Sequence, residues 1–157
     1  MPNYDIEVHD NSAMVLHELA SQKHVILEAV GLAGEAHAKE AAPVGTPEST
    51  GIQNYHGGNL RRSLTHKVIG DDVYVGTNAS VMQDGRRVSY PVLVELGTGV
   101  YASDGNGRRS PWKWKDKNGK WHWTQGIKPT HFLRNAVSSP EHIREYKRII
   151  ERILKNS

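Results

Sequence analysis

From Asn11 to Ala42 the sequence contains no proline, alanine is frequent, and Val15, Leu19, Ile26, Val30 and Ala33 recur at three- and four-residue steps. This spacing places them on one side of a helix. Asn11 or Ser12 can cap its start, and Pro43 sets its end. At roughly 1.5 Å per residue, about 30 residues make a rod near 45 Å, long for a chain of 157 residues that holds one domain. One end is expected to project beyond the core. Gly31 and Gly34 lower helix propensity but remove side-chain bulk, so the rod either lies close against another element there or kinks.

Residues 43–59, PVGTPESTGIQNYHGGN, are rich in Pro, Gly, Ser and Thr without apolar period and are read as a mobile loop. SLTHKVIG and DVYVGTN, separated by Gly70 and Asp71, predict an antiparallel hairpin, and QDGRR a second turn. YPVLVELGTG fits either a buried strand or a short buried helix. Ser139 and Pro140 open a last helix over 139–155, with an apolar stripe at Ile143, Tyr146, Ile150, Ile153 and Leu154.

All four tryptophans lie in SPWKWKDKNGKWHWT, residues 110–124, around Asn118-Gly119. A two-residue type I′ turn at Asn-Gly pairs Trp114 with Trp123 and puts Trp112, Trp114, Trp121 and Trp123 on one face. Lys113, Lys115, Lys117, Lys120 and His122 then take the other. A four-residue loop from Asp116 to Gly119 pairs Trp114 with Trp121 and preserves those faces; an odd-length loop or a bulge splits them. Such a face offers on the order of 600–1,000 Å² of apolar surface, more than a monomer leaves bare. Its cover is the domain's own core, a neighbouring copy, or flat ligands such as bases or sugars.

The chain has no cysteine, which excludes disulfides, thiolate catalysis and Cys-ligated zinc. HELAS at His17 lacks the second histidine of a zinc-protease helix, and His17 with His24 makes a poor metal pair. No nucleophile elbow, phosphate loop or dinucleotide fingerprint occurs, so neither catalysis nor a cofactor is expected. No apolar run is long enough for a membrane span, and a formal charge of +3 is mild for a dedicated duplex binder.

Four ordered segments, GNLRRSLTHKV from Gly58, VYVGTN from Val73, YPVLVELGTG from Tyr90 and KPTHFLRNAV from Lys128, resemble the head-tail joining (neck, tail-completion or minor capsid) proteins of tailed bacteriophages. The matching positions are Leu60, Arg61, Ser63, Gly76, Thr77, Tyr90, Glu95, Gly97, Thr98, Phe132, Leu133, Arg134 and Ala136, while Pro91, His131 and Asn135 depart from the family pattern. The resemblance implies an α+β fold in a single domain over 1–157. An antiparallel sheet region over 60–98 packs with a long N-terminal helix (11–42) and a C-terminal helix (139–155), and the Trp-rich hairpin is an insert at 99–127. It also implies that YPVLVELGT is a short helix running into a turn. The function implied is structural: a homo-oligomeric ring in the virion of a phage or prophage, made in the bacterial host cytoplasm and placed at the neck. Its partners would be its own copies, the connector or head-closure protein, the tail terminator or tail tube protein, and packaged DNA through non-specific contact. Trp112, Trp114, Trp121 and Trp123 are then candidate interface residues. Lys113, Lys115, Lys117 and Lys120 face solvent or the DNA channel. A small nucleic-acid-binding module would use the same Trp and Lys residues for stacking and phosphate contact. From the residues alone, Phe132 is expected in the core and Arg134 in a pair with Glu95.

Overall fold

The computed structural model describes residues 10–46, 57–83, 85–116 and 118–155. Helix α1 spans Ser12–Ala41. Asp10 tethers its start: Oδ1 accepts the Ser12 N–H at 2.9 Å, whereas the Asn11 side chain makes no cap bond. A carboxylate suits the positive end of the helix dipole. The helix ends where Pro43 holds Ala42 in extended backbone, with φ −66° and ψ 125°. Of the segment read as a mobile loop, residues 47–56 lie outside the described residues, and Asn59 already belongs to α2, Asn59–Ser63.

Strands β1 (Leu64–Ile69) and β2 (Asp72–Thr77) form the hairpin predicted around Gly70 and Asp71, with Gly70 at φ 62°. Leu64, His66 and Val68 pair with Thr77, Val75 and Val73 and make its inner face. β3 (Val81–Gln83) and β4 (Arg86–Val88) pair around the second turn, and α3 covers Tyr90–Leu96. The ambiguous YPVLVEL run is therefore helical. Pro91 fits its first turn, where a missing N–H removes no helical bond. β5 (Trp112–Lys115) and β6 (Trp121–Thr124) make the third hairpin. Helices α4 (Phe132–Ser138) and α5 (Pro140–Lys155) close the chain. The fold is α+β. The strands form three separate two-stranded ladders among the described residues, not one sheet over 60–98.

Hairpin β1–β2 lies against α1 at its two glycines. A Cβ on Gly31 would stand 2.5 Å from His66 Cδ2 and 2.7 Å from Val73 Cγ2, and one on Gly34 3.0 Å from Val75 Cγ2. Close packing, not a kink, is their use. Ala38 of α1 and Ala42 just past its end then meet Leu60, Leu64, Phe132 and Ala136 in the buried core, flanked by Val75, Tyr90, Val94 and Leu133. Helix α5 packs on α1 and α4: the His37 and His142 rings stack at 3.7 Å, and Tyr146 Oη donates to Ala136 O at 2.5 Å.

An ionic clamp sits where the hairpin crosses α1. Glu35 Oε2 lies 2.6 Å from His66 Nδ1 and accepts the His66 backbone N–H at 3.0 Å; Glu28 Oε2 lies 3.1 Å from Nε2. Carboxylates at both ring nitrogens select the imidazolium, because a neutral ring donates from one nitrogen only. Lys39, which also binds Glu35, and then His66 hold the Glu35 carboxyl down to about 2. Glu35 raises the His66 pKa, against the opposing effect of burial.

Two outcomes follow from this contact. Gly31→Ala should destabilise the fold by about 1–3 kcal/mol in chemical denaturation, because overpacking outweighs the gain of ~1 kcal/mol in helix propensity. An unchanged midpoint would show that the hairpin does not seat on Gly31. The clamp also sets a pH window: the Glu35 contribution is complete above 4.5 and lost as pH falls towards about 2. That of His66 is complete below 6.5 and lost as pH rises through its raised folded value. Urea midpoints of wild type minus His66→Gln should therefore be largest between about pH 4.5 and 6.5; a flat difference would reject the clamp.

Candidate functional site

The four motif segments meet at the core. Arg61 donates from Nη2 to Ala42 O at 2.9 Å and so satisfies a carbonyl at the end of α1. The Ala79 N–H donates to Thr77 Oγ1 at 3.0 Å, Thr77 meets Ser63 at 2.6 Å, and Ser63 donates to Leu60 O at 2.8 Å. This relay fastens α2 to the end of β2. Gly97, at φ 77°, is required twice, because a Cβ there would also lie 2.8 Å from both Ile127 O and Pro129. Thr98 exchanges hydrogen bonds with Ile127: its N–H donates to Ile127 O at 2.8 Å and its Oγ1 accepts the Ile127 N–H at 2.9 Å. Thr130 N–H and Oγ1 both donate to Val94 O at 3.0 Å. Residues 125–131 thus run as a strap along 94–100 and deliver fully buried Phe132 to the core. Gly76 has open space around it, and nothing in the structure explains a glycine there.

Glu95 and Arg134 do not pair through their side chains. The Glu95 carboxylate instead accepts the backbone N–H groups of Leu133 at 2.9 Å and Arg134 at 3.1 Å, capping α4 from the facing helix. Sequence reasoning linked the right residues by the wrong atoms, because α4 begins directly after His131 and its first amides need an acceptor. His131 takes the left-handed conformation, φ 51° and ψ 34°, and its C=O accepts the Asn135 N–H at 2.8 Å.

The tryptophan hairpin has a different register from the expected one. Trp112 pairs with Thr124, Lys113 with Trp123, Trp114 with His122 and Lys115 with Trp121. The loop therefore runs from Asp116 to Lys120, an odd length, and splits the tryptophans two and two. Asp116 causes this. Its Oδ1 accepts the N–H groups of Asn118 and Lys120, both at 2.9 Å, and its Oδ2 lies 2.8 Å from His122 Nε2. Those bonds close a wider loop than Asn-Gly alone would, and an aspartate two residues before Asn118 is the sequence signal for it. His122, first among these partners, holds the Asp116 carboxyl below the usual carboxylate range.

On one face Trp112 rests against Gly99 beneath the Arg108 guanidinium, 5.5 Å from its ring centre, and Trp114 stacks on His122 at 4.7 Å. On the other, Lys113 Nζ stands 5.0 Å over Trp123 and Lys115 Nζ 5.7 Å over Trp121. Lys113 and Lys115 are thus not segregated from the indoles; Lys120 is exposed at the loop end, and Lys117 lies outside the described residues. Trp121 and Trp123 are 63% and 68% exposed and Trp114 46%, so the subunit's own core does not cover them.

Further apolar surface lies on α1, where Met14, Val15, Leu16 and Leu19 are exposed in the part of the rod that extends past the core. A cleft of about 860 Å³ opens beside the core, lined by Leu60, Ser63, Val81, Tyr90 and Val94 among others. Among the described residues no group of three or more His, Cys, Asp or Glu side chains is placed to hold a metal ion, and no helix is long and apolar enough to cross a membrane. No protein-family model, curated protein or solved structure matches the chain.

Removing the Glu95 carboxylate should show that it caps a helix. Glu95→Ala should lower stability by about 1–2 kcal/mol, whereas Arg134→Ala should change it by less than about 0.5 kcal/mol. Equal losses that couple in a double-mutant cycle would restore the side-chain pair.

Proposed function

We propose that this chain is a non-enzymatic structural subunit of a tailed-phage virion, forming the ring at the neck that joins the DNA-filled head to the tail. The observation that carries it is the mismatch between core and surface. The buried core cluster holds six side chains among the described residues, while a helix of 30 residues runs past that core with Met14, Val15, Leu16 and Leu19 bare. A subunit that leaves so much apolar surface open is suited to bury it against copies of itself or against neighbours in an assembly. The likeness to head-tail joining proteins gains support from the way its motifs act together: Arg61 on the end of α1, Ser63 with Thr77, Glu95 on α4, and Gly97 beneath Pro129. The ring's neighbours in this reading are the connector or head-closure protein on one side and the tail terminator or tail tube protein on the other. The protein is synthesised in the host cytoplasm and ends in the virion.

A phage lacking this gene should build heads and tails but fail to join them, giving free tails beside heads in micrographs. Wild-type protein added to the lysate should restore infectious particles. A Leu16→Asp, Leu19→Asp double variant should keep its melting temperature, since both sites are exposed, yet restore few or none. Infectious virions formed without the gene would refute the joining role, and missing heads or tails would place the protein earlier in assembly.

A further inference from the structure

We propose that the hairpin face carrying Trp121, Trp123, Lys113 and Lys115 binds single-stranded nucleic acid, with bases stacked on the two indoles and phosphates held by the two lysines. The site does not depend on the joining role.

Three observations carry it. Trp121 and Trp123 are alternate residues of β6, so they project from the same face about 7 Å apart along the strand. Both are largely exposed, and each has a lysine ammonium from β5 over its ring. This is the pairing of flat stacking surface with adjacent cation that sequence-tolerant strand binders use. The charge of the insert adds to it. Residues 99–127 hold six Lys and Arg against two Asp, a net +4 in a chain whose total is +3. One of those aspartates, Asp116, is already engaged by His122 and the loop amides.

A second copy is the poorer occupant for this face. Lysine is depleted from the cores of protein interfaces, and packing two hairpins together would set like charges against each other. A polyanion neutralises the lysines and frees them from the ring faces, which bases can then occupy. Duplex DNA offers phosphates but keeps its bases stacked inside, so the indoles select a single strand.

The test uses the full-length protein and a labelled oligo(dT) 12-mer, a 12-base-pair duplex and heparin as probes. The single strand should quench tryptophan fluorescence and bind with an affinity that falls as salt rises. Trp121→Ala and Trp123→Ala should each weaken it roughly 5- to 150-fold, the range for losing one base–aromatic stack. Lys113→Gln and Lys115→Gln should each reduce the log–log salt slope by about 0.7. Heparin binding should be unaffected by the Trp variants. Melting curves check that each variant folds, and Trp→Phe changes, which keep a ring, should retain most of the affinity. The proposal is overturned by absence of binding at low salt, by duplex binding as tight as the single strand, or by Trp variants that bind like wild type. Concentration-dependent self-association abolished by Trp121→Ala would assign the face to a second copy instead.

Discussion

The fold depends on a backbone approach that only two missing side chains permit. Gly31 and Gly34 let hairpin β1–β2 lie directly on α1, and Val73, Val75 and His66 fill the space that Cβ atoms would take. Everything downstream uses that contact. Once the hairpin is seated, β2 ends beside α2, the Ser63–Thr77 relay closes, and a pocket is left between α1 and β2 into which Phe132 fits. The Glu28–His66–Glu35 clamp adds direction to an otherwise non-directional apolar contact, because it fixes where along the helix the hairpin crosses.

The insert at 99–127 is fastened to the core by the strap at 125–131. Its bonds to Val94, Thr98 and Val100 are made by backbone groups, with the Thr98 and Thr130 hydroxyls in support. They tolerate many sequences in the hairpin beyond, provided that glycine stands at 97, 99 and 126, where a Cβ would strike the opposing chain. A rigid seam with a free insert can keep its fold while the exposed part changes. The indoles and lysines of β5 and β6 can therefore be tuned without disturbing Phe132 or α4.

Long-period and turn signals were legible in the sequence. The proline-free apolar repeat predicts α1, Pro43 its end, Gly70-Asp71 the first hairpin, and Ser139-Pro140 the last helix. What was not legible came from competition between local choices. Asn118-Gly119 favours a tight turn, but Asp116 has three donors to satisfy and settles a longer loop. Glu95 and Arg134 have opposite charges, yet the unpaired amides at the start of α4 outcompete the guanidinium for the carboxylate. The clamp on His66 could not be read at all, since Glu28, Glu35 and His66 come together only after the hairpin has docked.

Loop tips are ordinarily where a chain best tolerates gain or loss of a residue. In this hairpin the tip acts as a selector. Closed one residue earlier, at Gly119, the loop would pair Lys115 with Lys120 and bring Trp112, Trp114, Trp121 and Trp123 to one side, leaving the lysines on the reverse. The same amino acids would then make an adhesive, oily plate backed by a cationic one, where the present loop gives each side of the ribbon both aromatic rings and positive charge. Asp116, a turn residue bound to His122 and to the loop amides, thus decides what kind of surface they present.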